Sequence, residues 1–183
     1  YAALDAVLPG RGWPEGALTE IVLVREGIGE LRLALPALAR LQAAGRDVVW
    51  IMPPHVPYAP ALAAAGLDLA RLLIVHCRNP ADQLWACEQA LRCADVAAVL
   101  AWLPQARADQ LRRLQMAASE HAKLLFVMRP AQVQTESSPA VLRLLVSVHS
   151  DSDDVRLEVL KRLPKVRPAE DLTVIVMTAH ASI

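Results

Sequence analysis

The chain is poor in lysine, and its glycines stop early. Only three of its nineteen basic residues are lysine, none of them before Lys123, and the other sixteen are arginine. All seven glycines lie between Gly10 and Gly66. Three cysteines, Cys77, Cys87 and Cys93, form an odd set without CxxC spacing, which excludes a disulfide framework and a zinc knuckle. They read as small buried hydrophobes of a reducing compartment. No uninterrupted apolar stretch of about 18 residues is present, so a membrane span is not expected. The start, Tyr1-Ala-Ala-Leu-Asp, has no basic segment leading into an apolar run, so no signal peptide is expected and the location is read as cytoplasmic.

What is there in quantity is apolar. Hydrophobic residues make up 55% of 183, which excludes a disordered chain and suits one domain with a real core, taken as residues 1–183. Nineteen basic and nineteen acidic residues cancel, which argues against gripping nucleic acid by bulk charge. Trp13, Trp50, Trp85 and Trp102 stand outside any basic aromatic cluster and read as core or partner anchors, not base-stacking platforms.

Short runs rich in Val, Ile and Leu predict strands over 18–24, 47–52, 72–76, 96–102 and 124–128. They lack polar alternation, as strands covered on both faces do. Helical stretches fall between them, over 29–44, 58–65, 80–93 and 105–121. In the first, Leu31, Leu35, Leu38 and Leu41 make one stripe, and Pro36 should kink the helix or move its start later. Asn79-Pro80 is an N-cap followed by proline at the first helical position. In the fourth, Leu111 and Leu114, with Met116 beside them, are placed inward. The alternation predicts a three-layer α/β fold around a mainly parallel sheet. Residues 131–139 read as a flexible loop. Three further strands, 141–149, 155–163 and 172–178, should add to one edge as antiparallel strands.

The first strand-to-helix turn is where such folds place a phosphate loop. Here Arg25, Glu26, Gly27, Ile28, Gly29 and Glu30 fill it, followed by Leu31. A working loop needs a lysine for the β/γ-phosphates and a hydroxyl for Mg²⁺. Glu30 and Leu31 stand in those places, and Glu26 and Glu30 would repel a triphosphate. The end of the fourth strand offers Trp102 and no carboxylate to hold Mg²⁺ through water. Asp82 lies near where a water-activating acid would sit, but reads as a helix-start residue. The five histidines show no HxxxH or HExxH spacing, and there is no GxSxG elbow. No enzyme activity, cofactor or metal is therefore expected. One charged feature stands out: Arg156, Lys161, Arg162, Lys165 and Arg167 against Glu158, following Asp151, Asp153 and Asp154. It is either a solvated edge or a docking surface for nucleic acid or an acidic partner.

Several segments in order resemble the ImuA family of SOS-associated accessory proteins in bacterial translesion synthesis. They include Leu8-Pro9-Gly10, Gly12-Trp13-Pro14, Gly27-Ile28-Gly29-Glu30-Leu31, Pro53-Pro54-His55-Val56-Pro57-Tyr58, Arg129-Pro130 and Glu158-Val159-Leu160-Lys161-Arg162. The resemblance implies a degenerate RecA-like fold acting as a non-enzymatic adaptor. Its partners would be ImuB, RecA and an error-prone replicative-type polymerase, with DNA contact weak at most. Under it, Arg156, Lys161, Arg162 and Lys165 are the expected partner contacts. Leu100-Ala101-Trp102-Leu103 and Phe126-Val127-Met128-Arg129-Pro130 also resemble the SulA cell-division inhibitors, which block the tubulin-like protein FtsZ. Arg46 and Arg71 are the contacts that this alternative implies. The ImuA reading is preferred because the chain runs well beyond Arg129 and because Ala61 stands where a bulky residue would suit an FtsZ interface.

Overall fold

A computed structural model describes Leu4, Leu8 and residues 12–148, 155–162 and 174–177; the side chains of Arg162 and of 174–177 are not described. One eight-stranded sheet holds them together. Its strands are β1 (Ala17–Leu23), β2 (Asp47–Ile51), β3 (Leu72–Val75), β4 (Val96–Trp102), β5 (Leu124–Pro130), β6 (Leu142–Val148), β7 (Val155–Arg162) and β8 (Val174–Met177). They lie in the order β3-β2-β4-β5-β1-β6-β7-β8. The helices are α1 (Leu31–Ala43), α2 (Ala59–Ala64), α3 (Pro80–Arg92) and α4 (Ala108–Glu120).

The strands β1 to β6 are all mutually parallel where they pair, and only β7 and β8 run antiparallel. Residues 141–149 were expected to pair antiparallel, and here the structure corrects the sequence reading. A strand's own pattern does not encode its direction; the path of the connection before it does. Residues 131–141 leave the carboxyl end of β5 and return to the amino end of β1, where Leu142 sits beside Thr19. That return makes β6 parallel. The segment is also not a free loop: it contains a short 3-10 turn, Ala131–Val133, and the carbonyls of Val133, Gln134 and Glu136 accept hydrogen bonds from Arg143.

Alternate residues of each central strand feed two cores. Ile21, Trp50, Leu100, Phe126 and Leu144 pack with Leu33, Ala34 and Leu38 of α1 and Leu62 of α2. Leu18, Val49, Val99, Leu125 and Val127 pack with Cys87 and Leu91 of α3 and Leu111 and Leu114 of α4. Trp13 meets the Phe126 ring edge-on at 4.9 Å. The strand β3 departs from the expectation of full burial. It is an edge strand, with Leu73 and Ile74 exposed.

The helix α1 runs through Pro36, so its start is not moved past that residue. Asn79 caps α3 as the sequence predicts: its carboxamide oxygen accepts from the Asp82 N–H at 2.9 Å, and Pro80 opens the helix. Met116 differs from expectation and is 66% exposed. It lies two residues from Leu114, about 200° around the helix at 3.6 residues per turn, so it points away from the core. At the amino-terminal edge of the sheet, Lys123 is buried and its ammonium donates to the carbonyls of Cys93, Ala94 and Val96. The same burial lowers its pKa below the ordinary lysine value.

The cysteines differ in reactivity for a physical reason. Burial pushes the Cys87 thiol far above its usual range, whereas Cys93 is exposed just beyond α3. A thiolate reagent such as Ellman's should label Cys93 first in native protein and reach Cys87 only after denaturation. Fast native labelling of Cys87, read by peptide mass, would contradict the placement of α3.

Candidate functional site

The carboxyl ends of β1, β2, β4 and β5 lie along one edge of the sheet. Neighbours β2 and β4 are followed by helices on opposite faces, since Leu62 of α2 joins one core and Leu111 of α4 the other. Open α/β sheets place ligands in the crevice that such a divergence creates. Here it holds a cavity of about 390 Å³. Leu23, Met52, Leu84, Trp102, Leu103 and Met128 give it apolar walls, and Arg25, Glu26 and Arg129 also line it.

The turn after β1 forms one side of this crevice. Gly27 and Gly29 have φ of +74° and +90°, left-handed backbone that glycine adopts without strain. The Gly27 N–H donates to the Glu30 carboxylate at 3.2 Å, and Glu30 is buried. In a phosphate loop such an N–H faces a phosphate oxygen. Here the side chain three residues on takes it. Glu26 stays exposed and reaches His55 at 3.8 Å, a contact between the loops that follow β1 and β2. Trp102 closes β4, its ring 5.8 Å from that of Trp50.

A buried ionic cluster beneath the crevice was not anticipated. Glu20 of β1 is 0% exposed and lies between two arginines. Arg129 of β5 donates to it at 3.0 Å, and Arg143 of β6 at 2.7 Å. Arg129 also holds the Ala106 carbonyl at 2.8 Å and Glu136 at 3.2 Å. The signal was visible as three charged residues inside apolar runs, Glu20 in Ala17–Leu23 above all. Buried charges need partners, and strands adjacent in space but far apart in sequence supply them.

The remaining residues singled out from the sequence divide between distant parts of the sheet. Arg46 and Arg71 lie by β2 and β3. Arg46 donates to the carbonyls of Ala94 at 2.6 Å and Val96 at 3.4 Å. Arg71 donates to Asp47 at 3.1 Å and to the Gly45 carbonyl at 2.9 Å, and approaches Asp68 at 3.8 Å. Arg156 and Lys161 sit on β7, across the sheet from them. Arg156 is exposed, whereas Lys161 is half-buried and donates to the Ser138 carbonyl at 2.7 Å, its pKa lowered by burial and by Arg143. The Arg162 side chain and Lys165 lie outside the described residues. The four described ones, Arg46, Arg71, Arg156 and Lys161, therefore form no single patch, and Arg25 to Glu30 form a separate turn.

Fold and crevice together define an α/β protein whose phosphate-loop position carries an internal carboxylate. A family model described as "Cell division inhibitor SulA" matches residues 16–124, and the chain belongs to the SulA family. It is 32% identical over 120 residues to the cell division inhibitor SulA of Photorhabdus laumondii, covering 65% of this chain and 68% of that one. It is 32% identical over 131 residues to that of Pectobacterium atrosepticum, covering 71% and 75%. The crystal structure of SulA from Pseudomonas aeruginosa matches with a TM-score of 0.50 at 24% identity, over 61% of this chain and 97% of that one.

These likenesses overturn the preference for an ImuA-type adaptor, and they lend no support to ImuB, RecA or a polymerase as partners. The length that favoured ImuA did not discriminate, because the curated SulA relatives are nearly as long as this chain: the same aligned stretches cover 65% and 71% of this chain and 68% and 75% of theirs.

Removing one member of the buried cluster leaves the others uncompensated, which costs about 3–5 kcal/mol. Glu20→Ala should lower unfolding free energy by that amount in urea titration. A loss below about 1 kcal/mol would mean that the two arginines are solvated without it.

Proposed function

We propose that this chain inhibits bacterial cell division by binding FtsZ and stopping its polymerisation, as part of the response to DNA damage. Membership of the SulA family carries this reading, because the match spans β1 to β4 with all the intervening helices. The action is stoichiometric binding and not catalysis. Glu30 supports this, since its carboxylate uses a loop N–H that a triphosphate would need. On the same grounds we read the scaffold as a RecA-like sheet that has lost its nucleotide chemistry, and the whole chain as one domain built on one continuous sheet.

The β3 edge is the proposed contact surface. Arg71 is partly exposed there, and Leu69, Leu73 and Ile74 present apolar surface beside it. A charged arginine among exposed aliphatic side chains is the composition that interface centres favour. Nearby, Arg46 donates to the Ala94 and Val96 carbonyls and so ties the start of β2 to the start of β4.

Purified protein should suppress FtsZ sedimentation and GTP turnover near equimolar ratio. Normal assembly in excess protein would refute the reading. Arg71→Glu should weaken inhibition about tenfold or more, measured as the concentration for half-maximal suppression, while the thermal melt stays close to wild type. Unchanged inhibition by that variant would move the contact away from β3 without touching the function.

A further inference from the structure

We propose that the crevice at the carboxyl ends of β2 and β4 is a binding site for a small, uncharged aromatic molecule, separate from the β3 surface. Its size falls within the range of ligand sites, at about 390 Å³. Its chemistry selects against the nucleotides that this position holds in related architectures. Pro54, Pro80, Pro104 and Pro130 line it, and proline has no backbone N–H to offer a phosphate. The charged groups are largely occupied elsewhere. Arg129 is held by Glu20, Glu136 and the Ala106 carbonyl, and Glu26 reaches His55. Glu30 takes the Gly27 N–H.

Apart from the exposed Arg25, what remains facing the space is apolar or neutral. Met52, Trp102 and Met128 supply polarisable walls, and thioethers adapt well to aromatic faces. Gln83, Gln105, Gln110 and Gln132 supply uncharged amides that can pair with one or two polar atoms at a ligand's edge.

A further feature marks this wall as more than a packing gap. Met52 holds φ at +56°, a left-handed conformation that a long side chain rarely adopts, and such strain concentrates where ligands are held. It is fixed there by the Met52 N–H donating to the Val75 carbonyl at 2.9 Å and by the Cys77 N–H meeting its sulfur at 3.0 Å.

The neutral fluorophore N-phenylnaphthylamine tests this, because it emits strongly only in apolar surroundings and accepts energy from tryptophan. Full-length protein should give saturable, one-to-one emission with micromolar dissociation, sensitised by excitation of tryptophan. Millimolar ATP should not displace the probe. Leu84→Glu places a carboxylate at a half-buried wall position and should weaken binding about tenfold, since a charge in an apolar site goes unsolvated. Met116→Ser, on the exposed side of α4, should bind as wild type does. Should Leu84→Glu fail to melt cooperatively, Gln83→Glu makes the same test from the neighbouring wall residue. Absence of saturable emission, displacement by ATP, or unchanged affinity in a folded glutamate variant would each overturn the proposal. None of these outcomes bears on FtsZ inhibition, which is read separately.

Discussion

The carboxylate of Glu20 is the point on which the middle of the sheet depends. It lies fully buried on β1, the strand flanked by β5 and β6, and each neighbour contributes one arginine to it. Neither arginine stops there. Arg129 reaches the loop between β4 and α4 through the Ala106 carbonyl, and Arg143 ties down the return from β5 through three carbonyls. An ion buried in a protein interior forfeits its hydration and must recover it from fixed partners. Glu20 therefore ties three strands and two connections into one arrangement. Hydrophobic burial alone would tolerate several registers of strands as uniformly apolar as these.

That constraint explains how the strands beyond the matched residues attach to the rest of the sheet. The β6 strand joins β1 in parallel, with Arg143 beside Glu20 in the pairing register. Once Arg143 is placed, the return segment has to lie where its carbonyls can accept from the guanidinium. The antiparallel strands β7 and β8 then follow by simple pairing. The region beyond residue 124 is thus joined to the matched core through electrostatics as well as through the backbone ladder.

The elements legible in the sequence were those set by local rules. Val96–Trp102 is a strand with the bounds its apolar run suggested, and Asn79-Pro80 starts its helix through local hydrogen bonding. That Glu30 and Leu31 stand where a phosphate loop would need a lysine and a hydroxyl was readable from two residues alone. What escaped depended on partners distant in sequence. The direction of β6 follows from where its connection runs, and the pairing of Glu20 with Arg143 spans 123 positions. The choice between two related families failed for another reason. Segments of this chain resemble both, and chain length was given weight although the curated relatives are nearly as long. The crevice itself was invisible, since its walls come from short loops after separate strands.

Glu30 has a consequence for how such a protein can be controlled. Switch proteins built on comparable sheets read time from their nucleotide, which binds in one state and leaves in another after hydrolysis. Under the proposed function, a carboxylate of the chain's own on the loop amide leaves no γ-phosphate to lose there, and so no internal timer. The strength of the chain's effect then follows how many copies the cell holds at a given moment, set against the number of targets they must cover.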